Sequence, residues 1–171
     1  MARRATTRHR RADETRPADG GVVADDTRAL RAALVWSIVL FASGGVIGVF
    51  INGSNVRIPA HYHGSQVGVT LAFMGLTYVL LPLLGFGKAE GRMAVWQPYV
   101  YGAGQLIHVL GLAWSGGYSV QRKVAGAEQA LVTLPQKLGM GMMGLGGLIA
   151  VIGGLMFVVI CLRAMLAKKE R

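Results

Sequence analysis

The chain is poor in the groups that soluble enzymes use for chemistry. It has one cysteine, Cys161, among 171 residues. A single thiol excludes an internal disulfide and any metal cluster held by several thiolates, and its place in an apolar run suits packing. Charge is also scarce: 15% of residues are charged against 53% hydrophobic, with a mean hydropathy of +0.45. A soluble domain of this size is not so apolar, and the balance points to a bilayer. The 8 acidic residues all lie outside the long apolar stretches. No intramembrane carboxylate therefore marks a proton path. No repeat of fixed period is present.

Basic residues are plentiful by contrast, and the net charge is +10. Eight of the 18 Lys and Arg fall within residues 1–31, and most of the others lie in short connectors and the tail. That distribution reads as membrane topology, with no nucleic-acid surface implied. Residues 1–28 are rich in Arg, Asp, Ala and Thr and are expected to form a disordered, basic cytoplasmic arm. The basic stretch is not followed by a short apolar core with a small-residue cleavage site, so the first apolar run reads as a retained helix.

Four apolar segments follow, at 32–51, 60–86, 95–115 and 138–166. Each has the roughly 20 residues that span a bilayer core. The expected fold is an all-α integral membrane domain over residues 29–171 with four transmembrane helices. A basic arm and a basic tail at 168–171 place both termini in the cytoplasm, with the chain crossing a bacterial-type inner (plasma) membrane. Connectors 52–59 and 116–137 then face outward, yet carry Arg57, Arg122, Lys123 and Lys137, which calls for a local anionic partner. Pro59 and Pro98 sit near helix starts, and Pro82 is placed to kink or end the second helix. Gly44 with Gly48, and Gly64 with Gly68, make small-xxx-small steps, and Gly139, Gly141, Gly144, Gly146 and Gly147 stud the fourth helix. Such positions let helix backbones, or a flat macrocycle, approach closely.

Three histidines lie in these segments: His61, His63 and His108. An ionisable side chain at membrane depth is costly and is a functional candidate by default. His61 and His63 are two residues apart, about 200° around a helix, so they project from opposite flanks and cannot ligate one metal together. They can serve two sites. Neutral imidazole is a common axial ligand of haem iron, and a haem is a flat apolar body suited to a gap between helices. Hydrogen bonding to water and loop groups is the alternative for both. His108 lies mid-helix one turn after Gln105, which shares its face. It is either a further ligand, a member of a polar relay, or a satisfied buried histidine. Arg122 and Lys123 are adjacent cations suited to carboxylates such as haem propionates, or to anionic lipid headgroups.

The run from Ile58, IPAHYHGSQVGVTLAFMGLTYVLLPLLG, resembles the tenth helix of subunit I of the haem-copper oxidases, the cytochrome c oxidase family. There a His-aromatic-His motif precedes a similar apolar pattern ending in Pro and Gly. GGVIGVFINGSN, from Gly44, resembles the end of the ninth helix. GLAWSGGYSVQRK, from Gly111, is similar to the end of the eleventh helix and the loop whose basic pair contacts haem propionates. The pattern is closest to the B-type branch and covers nearly everything after the arm, so the helices resemble the ninth to twelfth.

The resemblance implies that His61 is the axial ligand of the high-spin, oxygen-reducing haem and His63 one ligand of the low-spin haem. It also implies that Arg122 and Lys123 are the propionate pair. The chain departs from the family pattern as well. A full subunit I has many more helices; the copper-ligating histidines, the cross-linked tyrosine, the second low-spin ligand and the His-Asp pair before the tenth helix are not here. His108 is outside the usual pattern. The resemblance therefore implies a haem component, of b-type or a-type, that brings no copper and is not catalytic alone. It would work with a larger oxidase subunit, and with a cytochrome or quinol as electron donor. The alternatives are a stand-alone homo-oligomer carrying a b-type haem between two copies, or a non-catalytic membrane scaffold.

Overall fold

A computed structural model describes residues 20–124 and 128–167. Most of the expected N-terminal arm, 1–19, and the tail at 168–171 lie outside the described residues. The molecule is all-α, with four helices: α1 (Gly20–Val49), α2 (Arg57–Leu83), α3 (Arg92–Gly117) and α4 (Leu134–Leu166). α1 begins well before residue 32, which corrects the expected end of the arm at 28. No Gly or Pro interrupts the chain between Gly21 and Gly44, and Ala, Arg and Leu favour the helix there.

Local chemistry sets the other boundaries. α2 stops at Leu83, short of the expected 86, because Gly85 takes a φ of +88°. The Phe86 N–H donates to the Leu81 carbonyl at 3.0 Å and the Gly85 N–H to Pro82 at 3.1 Å, closing a Schellman turn. α4 starts four residues earlier than expected, where Thr133 and Gln136 form a reciprocal capping box and Pro135 occupies the first turn.

Three helical stretches are long and apolar enough to cross a membrane: Thr27–Val49, Arg57–Leu83 and Leu134–Leu166. They make this a membrane protein, with lipid as its surroundings. α3 falls outside that group, although the sequence marks it as a fourth span. Its polar residues Gln97, Gln105 and His108 dilute its hydropathy. Its position accounts for them, because α3 packs against all three other helices. Gln97 is fully buried, accepting from the Tyr78 hydroxyl at 3.0 Å and donating to the Gly153 carbonyl at 3.3 Å. One side chain thus joins α2, α3 and α4 and leaves its polar atoms satisfied.

Glycine brings the backbones together. A Cβ on Gly64 would lie 2.8 Å from the Gly44 Cα, and one on Gly68 2.7 Å from the Phe41 nitrogen. On the other side, Gly104 and Gly111 of α3 meet Gly146 and Gly139 of α4. The indole of Trp36 fills the space beside Gly102, seating α1 on α3. Gly141, Gly144 and Gly154 of α4 face open space instead. The small-residue steps are therefore used for helix packing where a neighbour exists.

This packing predicts a contrast between two glycines. Gly64→Leu forces backbone against side chain and should cost about 3 kcal/mol or more, read as a lowered unfolding midpoint in detergent. Gly144→Leu, with nothing within 4 Å, should leave the midpoint unchanged within about 0.5 kcal/mol.

Candidate functional site

The candidate residues gather at one end of the bundle because two loops are stapled there. Asn55 and Gln121 form an isolated antiparallel bridge, and the Val56 N–H donates to the Val120 carbonyl at 3.1 Å. Gly116 lets the end of α3 touch the start of α2, since a Cβ there would lie 2.6 Å from the Arg57 Cγ. This joins the segment carrying Arg122 and Lys123 to the helix start carrying His61 and His63.

His61 and His63 do project from opposite flanks of α2. His61 turns toward α1, where its Nδ1 lies 2.8 Å from the Gly44 carbonyl oxygen. A carbonyl only accepts, so Nδ1 carries the proton and donates, and a neutral ring then keeps its lone pair on Nε2. Gly48, one turn after Gly44, makes room: a Cβ there would lie 2.7 Å from Nδ1. The Ser65 hydroxyl donates to the His61 carbonyl at 3.1 Å, steadying the same turn.

His63 turns toward α3 and meets His108 edge to face, with ring centroids 5.3 Å apart and planes at 63°. Tyr62 stacks on its other side at 5.2 Å. His108 in turn has Nδ1 2.9 Å from the Met143 carbonyl of α4. The expected neighbour Gln105 is not its partner. His108 therefore presents Nε2 in the same way as His61. The His63 and His108 rings are in edge contact in this arrangement.

Arg122 is half-buried, and its Nε donates to the Ser54 hydroxyl at 3.1 Å, which fixes the guanidinium over the first loop. Lys123 is exposed and holds a φ of +64°. The two cations sit at the same end as His61, and the side chain of Lys123 reaches outward.

Among the described residues, no group of three or more His, Cys, Asp or Glu side chains gathers to hold a bare metal ion. A haem needs less, because it brings its own in-plane nitrogens and asks the protein for one or two axial donors. Orienting an imidazole through Nδ1–H on a backbone carbonyl is how proteins present Nε2 to a metal. Sequence reading missed both carbonyl partners, since the backbone of another helix leaves no mark in the local sequence. It also passed over Gln97, whose signal was an amide inside an apolar stretch.

No family model matches the chain, and no solved structure matches it. Over 147 residues, 80% of this chain, it is 44% identical to an uncharacterized protein of Rickettsia prowazekii (strain Madrid E), of which the match covers 28%. Over 69 residues, 40% of the chain, it is 32% identical to an uncharacterized protein of Aquifex aeolicus (strain VF5), covering 18% of that protein. The chain thus spans less than a third of the length of either relative.

The imidazole arrangement is testable without any ligand. Nitrogen-15 NMR of histidine-labelled protein at pH 8 should show His61 and His108 as the Nδ1–H tautomer, the minor form of free histidine. Gly48→Leu should displace the His61 ring and return its signals to the free pattern, leaving those of His108 unchanged.

Proposed function

We propose that the chain is a haem-binding membrane component of a respiratory terminal oxidase, resembling the last four helices of haem-copper oxidase subunit I and working with a larger chain. The observation that carries this reading is the clamped imidazole of His61. Its Nδ1–H is tied to the Gly44 carbonyl, which leaves the lone pair of a neutral ring on Nε2. His61 would hold the iron of a high-spin haem, and His63, on the opposite flank, one face of a low-spin haem. Arg122, anchored on Ser54, and Lys123 would meet propionates at the outer end. When bound, haem supplies a redox-active iron for electron transfer and oxygen reduction.

The chain's own contribution is orientation and exclusion of water. Helix contacts at Gly44 and Gly64 set the depth and angle of His61, and the loop bridge at Asn55 and Gln121 holds the cationic end over it. On this reading α3 is the fourth crossing. Gln97 and His108 are tolerated there because neighbouring helices satisfy them, and four crossings return both basic ends to the cytoplasmic face of an inner membrane. The match to a small fraction of a much longer relative supports a four-helix unit that works within a larger assembly. Such an assembly would also supply the further residues needed to hold a haem beside His63.

Reduced-minus-oxidised spectra of the protein, affinity-purified from its own host's membranes with its companions, test this. A Soret band is expected, with the high-spin component lost in His61→Ala and the low-spin component lost in His63→Ala. Wild-type protein without a Soret band, or both variants with the wild-type spectrum, would sink the reading.

A further inference from the structure

At the opposite end of the bundle from the histidines, a cavity of about 460 Å³ is lined by Arg28, Arg92, Val95, Trp96 and Tyr99. Arg28 comes from the start of the first membrane-crossing stretch and Arg92 is the first residue of α3. Trp96 and Tyr99 follow within two turns, with ring centroids 5.9 Å apart, and both are exposed. Each component has a plain reading in a bilayer. Exposed Trp and Tyr near a helix end sit at the headgroup level. Guanidinium groups at that level present planar donors that match phosphate oxygens, more weakly hydrated than an ammonium. Val95 and the two aromatic faces continue the wall on the apolar side.

We propose that this cavity is a binding site for an anionic phospholipid, with Arg28 and Arg92 holding the headgroup phosphate and Trp96 and Tyr99 flanking the glycerol and upper acyl chain. Two positive charges from two helices, at the depth where aromatic rings mark the interface, select for charge as well as for apolar contact. Occupancy would tie the start of α1 to the start of α3. The site is independent of haem and does not rest on the oxidase reading.

The position of Trp96 supplies the readout. The full chain is reconstituted in phosphatidylcholine vesicles containing either brominated phosphatidylglycerol or brominated phosphatidylcholine as quencher. The Trp96 signal is taken as the difference between wild type and Trp96→Phe. Quenching of Trp96 by the anionic lipid should occur at a quencher fraction on the order of tenfold lower than for the zwitterionic lipid. Arg28→Gln with Arg92→Gln should abolish that preference at unchanged helix content, and Arg28→Lys with Arg92→Lys should restore part of it. Excess inorganic phosphate should leave the quenching in place. Equal quenching by the two lipids in wild type overturns the proposal, as does a preference that survives the double glutamine variant. Displacement by inorganic phosphate overturns it in favour of a soluble phosphate ligand.

Discussion

The backbone contact between α1 and α2 at Gly44 and Gly64 is the constraint on which the candidate site depends. With no side chain on either residue, the helices approach so closely that a Cβ on Gly64 would lie 2.8 Å from the Gly44 Cα. At that separation the His61 imidazole reaches the Gly44 carbonyl without leaving its own helix face. A side chain at either glycine would push the helices apart and remove the hydrogen bond. The α3–α4 seam repeats the device. Gly104, Gly111, Gly139 and Gly146 close that gap, and His108 reaches the Met143 carbonyl across it. Glycine thus does two jobs here: it packs helices, and it orients two imidazoles through a neighbour's backbone.

The same logic governs polarity inside the bundle. An amide or imidazole facing hydrocarbon costs free energy unless it is paired. On α3, which packs against the three other helices, Gln97 and His108 both find partners on neighbouring helices. Gln97 shows the consequence, since one buried amide serves α2 and α4 together. Helices α1, α2 and α4 meet lipid along much of their length and are correspondingly apolar.

Much of the architecture was legible in the sequence. Apolar runs of bilayer length announced four helices, and the 200° between His61 and His63 announced opposite flanks. The helix ends were less legible. The start of α4 depended on a side-chain exchange between Thr133 and Gln136, and the end of α2 on a positive φ at Gly85. The extension of α1 to Gly20 was hidden because the residues before Ala32 are polar, and hydropathy reports environment while helix propensity does not.

By itself the sequence determined that the chain is helical, membrane-embedded and equipped with three histidines in apolar surroundings. These follow from composition and from helical periodicity, which are local properties. Only the tertiary structure decided what the histidines touch. It set His61 on Gly44, His108 on Met143, and His63 against His108 at 5.3 Å. Those contacts join residues 17, 35 and 45 positions apart (61 − 44, 143 − 108 and 108 − 63). The first two depend on how closely two helix backbones approach, a distance set by glycines on both helices and visible only once the helices are packed.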